Sequence, residues 1–120
     1  MRRSILIPTV VALTALPLAA APASAAPVRS CSPVRATING NKYVLAIKVK
    51  VRGLPCPATG AFWTAFATGE QGSTTTEDLR SNCKPGSKSQ QKAAEKRNRC
   101  AYKCTSSDGK IRTTAWVLGG

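Results

Sequence analysis

Residues 42–52, KYVLAIKVKVR (Lys42–Arg52), decide how the chain folds. Tyr43, Leu45, Ile47, Val49 and Val51 take the odd positions, and Lys42, Lys48, Lys50 and Arg52 take even ones. Side chains alternate between faces along a strand, so the stretch reads as one strand with an apolar face and a basic face. The apolar face is expected to nucleate the core and the basic face to meet a partner.

Asn39-Gly40 lies just upstream, a strong two-residue hairpin signal because both positions tolerate positive φ. A turn there pairs residues whose numbers sum to 79. Ala36 then faces Tyr43 and Val34 faces Leu45, apolar against apolar, while Thr37 and Arg35 face Lys42 and Val44 on the outer side. The strand runs on past this partner, so Ile47–Arg52 needs a further strand beside it.

Downstream, Gly53-Leu54-Pro55-Cys56-Pro57 is a turn into a predicted helix, with Pro57 suited to its first position and Gly69 to its stop. Ala58, Ala61, Phe62, Ala65 and Phe66 recur at helical spacing and form its apolar face. Glu70–Gln91 is polar, with Glu77 and Asp78 read as solvated acids of a short turn after Thr76. Cys100–Thr105 and Lys110–Leu118 read as a second hairpin about Asp108-Gly109, with pairs summing to 217. Tyr102 then faces Ala115, Cys100 faces Val117, and Lys103, Arg112 and Trp116 share the other face. A cation beside an indole suits contact with phosphate or base.

The chain has 120 residues, enough for one small domain. Its start reads as an export signal: Arg2-Arg3, an apolar run from Ile5 to Leu18, and Ala23-Ser24-Ala25 as a small-residue cleavage site. This predicts a signal peptide over 1–25 and a single secreted domain over 26–120. Arg2-Arg3 alone does not separate general from twin-arginine export. The full chain carries 18 basic and 5 acidic residues, so loss of the two leader arginines leaves 16 − 5 = +11.

Five cysteines follow the leader: Cys31, Cys56, Cys83, Cys100 and Cys104. A domain this small buries little core, and an exported one is commonly stapled by disulfides. Zinc is the competing use, but the chain has no histidine and no C-x-x-C pair. Two bridges among five cysteines leave one thiol over. Cys100 and Cys104 stand two alternations apart on one strand, about 13 Å, and should not bond each other. Cys56 at the helix start has two readings, a low-pKa reactive thiol or a bridge tying helix to sheet.

Lys84, Lys88, Lys92 and Lys96 are spaced by four, and Arg97 and Arg99 follow. With nothing larger than Ala93 and Ala94 to bury, residues of about 84–99 are expected as an exposed helix or a mobile basic loop or arm. The missing histidine excludes Ser-His-Asp and Cys-His nucleophiles, the adjacent Glu77 and Asp78 point apart, and the short loops that hold most of the five acids offer little concavity for a glycosidase pair. No phosphate loop or dinucleotide fingerprint is present. The chain is therefore expected not to be an enzyme and to need no cofactor or metal.

The run Val51-Arg52-Gly53-Leu54-Pro55-Cys56-Pro57-Ala58 resembles the small exported cysteine-containing proteins common in actinobacteria, with a strand ending in Gly-x-x-Cys and then an alanine-bearing helix. The resemblance implies a secreted α+β domain and points to no particular activity. It further implies that Cys31, Cys56, Cys83 and Cys104 form the bridged quartet, pairing open, with Cys100 unpaired.

The expected fold is α+β: a small antiparallel sheet of two hairpins, one packed helix and two disulfides, as a monomer. The expected function is non-catalytic binding of a polyanion or anionic cell-envelope surface, whether nucleic acid, cell-wall polymer or lipid head groups. Its candidate residues are Arg35, Lys42, Lys48, Lys50, Arg52, Lys92, Lys96, Arg97, Arg99, Lys103, Arg112 and Trp116. The alternative is a secreted proteinase inhibitor presenting a rigid loop at Leu54-Pro55-Cys56 or near Lys84-Pro85. A third reading is a subunit paired through the odd cysteine.

Overall fold

The computed structural model describes residues 26–119, so the expected leader and its cleavage after Ala25 lie outside the described residues. The elements run β1 (Arg29–Ser30), β2 (Val34–Ile38), β3 (Asn41–Arg52), α1 (Cys56–Thr68), α2 (Thr74–Ser81), β4 (Cys83–Pro85), α3 (Lys88–Glu95), β5 (Arg99–Thr105) and β6 (Arg112–Leu118). The strands form one antiparallel sheet in the order β1-β3-β6-β5-β4, and β2 also pairs with β3. The fold is α+β and disulfide-stapled, with α1 across one face and two shorter helices besides.

Both hairpin registers follow the turn chemistry. Asn39 and Gly40 carry φ of 52° and 81°, and β2 pairs with β3 as Ala36 to Tyr43 and Thr37 to Lys42. Every β5–β6 pair, from Arg99–Leu118 to Thr105–Arg112, keeps the expected sum. The second turn is longer than two residues. The strands stop at Thr105 and Arg112, and the Ser106 amide donates to the Ile111 carbonyl at 2.9 Å. The strand needed beside Ile47–Arg52 is β6.

The strict odd-even reading of β3 fails in its middle. The register slips between Val34 and Arg35, so Val34 faces Ala46 rather than Leu45. It slips again between Ile47 and Lys50. These are β-bulges, each inserting one extra residue and resetting the alternation. Leu45 and Ala46 are consequently both buried, while Ile47 turns to the outer face opposite Trp116. Lys48 sits in the second bulge with φ of 54°. Tyr43, at the far end of the hairpin, stays 39 % exposed.

The core lies between the sheet and α1. Leu45, Ala46, Val49, Ala115 and Val117 supply the sheet side, and Phe62 and Trp63 the helix side. The helix face is rotated from the one expected. Thr59, Phe62, Trp63 and Ala65 are buried, whereas Ala58 and Ala61 are exposed beside a small cleft toward α2. The indole of Trp63 is the reason, because it carries far more apolar area than either alanine. It is fully buried and donates its Nε1–H to Thr113 Oγ1 at 3.0 Å, and Thr113 donates onward to the Lys50 carbonyl at 2.7 Å. Phe66 and Tyr102 extend the aromatic cluster, with ring centroids 4.9 Å apart.

Local chemistry closes the ends. Gly69 stops α1 at φ 78°, donating to the Ala65 carbonyl. Gly53 ends β3 at φ 85° where a Cβ would strike the Lys110 carbonyl, so this turn excludes a side chain. The polar stretch expected as a turn after Thr76 is helix α2, capped earlier by Ser73 accepting from the Thr76 amide. Its Leu79 is fully buried. Asp78 accepts from both the amide and the hydroxyl of Ser107, tying α2 to the β5–β6 loop.

Residues 84–99 take the helical alternative over Lys88–Glu95, preceded by strand β4. A reciprocal cap joins Ser87 and Gln90. Ala94 is fully buried, and the Gln91 amide both donates to the Ala101 carbonyl and accepts from its N–H. These contacts fasten the stretch to β5.

The disulfides are Cys31–Cys56 and Cys83–Cys104, and Cys100 is a free, half-buried thiol. The first ties the residue after β1 to the start of α1, the helix-to-sheet bridge expected of Cys56. The second joins directly opposed residues of β4 and β5. Two bridges of this kind suit an oxidising compartment. Among the described residues no helix is long and apolar enough to cross a membrane.

Candidate polyanion-binding face

The face of the sheet away from α1 is built row by row from the register. Directly opposed residues of an antiparallel pair project to the same face. One row reads Lys84, Lys103, Thr114, Lys50. The next reads Thr105, Arg112, Arg52. On the other side of the first row lie Ala101, Trp116 and Ile47, and beyond them Arg99 opposite Leu118.

Two of these rows place like charges directly opposite each other: Lys84 against Lys103, and Arg52 against Arg112. Such pairs are destabilising. No acid relieves them, because among the described residues the one ion pair joins Arg80 and Glu77 at 3.1 Å. Asp78 and Asp108 are engaged elsewhere, at Ser107 and Ser106. Hydrogen bonds from Ser107 hold the Asp78 carboxyl below the usual carboxylate range, and the Ser106 hydroxyl does the same for Asp108.

Trp116 is half-buried at the centre of the face. The bulge at Lys48 re-aims that side chain over the indole, with Nζ 5.9 Å from the ring centroid. Lys48, Lys50, Thr114, Trp116 and Ala101 line a cleft of about 270 Å³ with Gln90, which α3 brings to this side. Gln90 Oε1 accepts from the Ser87 amide at 3.0 Å as part of the helix cap, leaving its Nε2 as a donor. The cleft therefore presents ammonium groups, an amide donor, a hydroxyl and an aromatic ring.

The structure brings together six of the expected binding residues: Lys48, Lys50, Arg52, Lys103, Arg112 and Trp116. Arg99 lies on the same face one row beyond Trp116. Its Nη1 is buried without a hydrogen-bond partner, and burial first, then Arg97, lowers its pKa from the ordinary guanidinium value. Lys92, Lys96 and Arg97 are exposed on α3 and the turn after it. Arg35 and Lys42 are not part of the patch. They line a separate groove on the β2–β3 hairpin, and eight residues of strand put Lys42 about 26 Å from Lys50.

Lys84, Gln90 and Thr114 complete the face and were not expected there. The signal for Lys84 was the Cys83–Cys104 bridge, which sets it opposite Lys103 once that pairing is known. The two segments considered for an inhibitor both keep exposed residues, Pro55 in one and Lys84 and Pro85 in the other. Leu54 is packed against the core cluster, and Lys84-Pro85 belongs to β4. Among the described residues no three His, Cys, Asp or Glu side chains gather in a group able to hold a metal ion. No protein-family model, curated protein or solved structure matches the chain.

Proposed function

We propose that the protein is a non-catalytic, secreted cationic domain that binds a polyanion through the outer face of its sheet. The observation that carries this is the pair of like-charge cross-strand contacts, Arg52–Arg112 and Lys84–Lys103, on one face with no acid between them. A sheet selected for stability alone would alternate signs across its strands. An anion laid over the rows removes that repulsion, so bound polyanion and folded sheet stabilise each other. Export is supported by the leader-like first 25 residues and by the two disulfides.

The test is binding of the purified protein to heparin, duplex DNA and anionic vesicles from about 50 to about 200 mM salt. Six cations on the face give a slope of log K against log salt of about −5 on duplex DNA, at about 0.9 per neutralised phosphate. A Lys50→Glu, Arg52→Glu variant should bind more weakly and with a shallower slope. Absence of binding to all three at low salt, or a slope unmoved by these reversals, would sink the reading. Protection of a secreted protease by the same preparation would replace it with the inhibitor reading.

A further inference from the structure

We infer that the polyanion is a single-stranded nucleic acid, with one unstacked base seated on Trp116 and the phosphates running along the lysine and arginine rows. This rests on the polyanion reading above and names the partner class of that face. At about 270 Å³ the cleft lies below the size of a site for a drug-sized ligand and suits one planar ring. Its floor is apolar, with Ala101 and the half-buried indole, and its rim is basic.

The donor inventory narrows the chemistry. Lys48, Lys50 and Gln90 Nε2 donate only, Thr114 adds a hydroxyl that can donate or accept, and Tyr102, whose ring packs on Phe66, also borders the cleft. An acidic glycan would meet these donors with its anionic groups but brings no aromatic ring to stack on the indole. A base attached to phosphate brings both, a planar ring for Trp116 and carbonyl and phosphate oxygens for the donors. Lys48 stands over the indole at the outer limit of a cation–π contact. Its flexible stem lets a base displace it, and the ammonium then moves to the phosphate or base carbonyl beside it. Duplex DNA keeps its bases stacked and would meet the cations alone.

The chain has two tryptophans, and Trp63 is fully buried, so fluorescence changes on binding report Trp116. The experiment titrates the protein with a thymidine oligonucleotide of about 12 residues, a duplex and heparin, with Trp116→Ala and Trp116→Phe variants alongside. The oligonucleotide should quench the fluorescence of the unaltered protein. Trp116→Ala should weaken its binding about 5- to 150-fold, equivalent to the ~1–3 kcal/mol of one base stack. Heparin and duplex affinities should hold within about twofold and the salt slope should not change. Trp116→Phe should recover most of the loss, which a merely unfolded variant could not do.

Equal losses on all three polymers, or no loss on the oligonucleotide, would overturn the base-stacking inference while leaving polyanion binding in place. A loss confined to heparin would put an acidic glycan in the cleft instead. Failure of the unaltered protein to bind any of the three would remove the broader reading as well.

Discussion

Arg112→Glu offers the sharpest test, because it should stabilise the fold and damage binding at once. Arg112 is exposed and Arg52, directly opposite on β3, is half-buried. Reversing one charge converts a repulsive pair into an attractive one. Cross-strand charge pairs contribute about 0.2–1 kcal/mol in either direction. With both heads reached by solvent, the sum of lost repulsion and gained attraction is about 1 kcal/mol. For a domain of this size that raises Tm by about 4–8 °C. The assay is thermal unfolding followed by circular dichroism at low and at about 1 M salt, where the Debye length shrinks to about 3 Å and the gain should largely vanish. Lys42→Glu is the control. It makes the same change in net charge but faces Thr37, so its shift should stay within about 0.5 kcal/mol. Arg112→Glu should also lower the magnitude of the salt slope of polyanion binding by about one contact. If Arg112→Glu melts no higher than the unaltered protein at low salt, or no higher than Lys42→Glu, then the two guanidiniums do not share a face and the row argument is refuted.

Three further outcomes probe the scaffold. Trp63→Phe should destabilise by about 1–3 kcal/mol, losing the hydrogen bond to Thr113 and leaving space in the core, and chemical denaturation would measure it. Replacing Cys31 and Cys56, or Cys83 and Cys104, by serine should cost about 3 kcal/mol for loops of 25 and 21 residues, read as a lower denaturation midpoint. Asp78 is held ionised by Ser107, so its folded pKa is depressed. The stabilisation is complete above the unfolded carboxylate value of about 3.9 and is lost as pH falls through the folded value. Ser107→Ala should therefore flatten the acid limb of a Tm–pH profile below about pH 4 while lowering Tm at neutral pH.

The two hairpins were legible because two independent signals agreed on each. Asn39-Gly40 set a register in which apolar residues faced each other, and the 105–112 connection kept its register although its loop is longer than the dipeptide Asp108-Gly109 implied. The interruption of β3 was not legible. A lysine at positive φ leaves no trace in an alternating pattern, so Ile47 was assigned to the wrong face and Ala46 overlooked. The face of α1 was misread for a different reason. Counting alanines at helical spacing gave Ala58 and Ala61 equal weight with aromatic residues, whereas Trp63 decides the rotation by its area and its one hydrogen bond. Helix α3 buries little beyond Ala94 and is held by the Gln91 amide on the backbone of β5, so no apolar periodicity announced it. Its Ser87-x-x-Gln90 cap was present in the sequence and was the usable signal. The candidate face was half legible. Lys50, Arg52, Lys103, Arg112 and Trp116 follow from alternation, but joining the two hairpins side by side requires the β3–β6 register, and no local rule supplies that.

The local rules that this chain breaks fall on one side of it. On the α1 side of the sheet the residues are apolar, paired and satisfied, down to the Trp63 indole. On the other side Lys48 holds a left-handed backbone conformation that costs about 1 kcal/mol for a residue with a Cβ. Two cation pairs oppose each other without a counter-charge, and one nitrogen of Arg99 is buried without a partner. None of these strengthens the free fold. An anion across the rows, as proposed above, would screen the pairs and give the Lys48 ammonium, already turned toward Trp116, a charged partner. Strain and repulsion concentrated on the face opposite the core are what a small stapled domain can tolerate. The disulfides and the core beneath α1 hold the fold together, and the proposed binding would act on the repulsion left on the outer face.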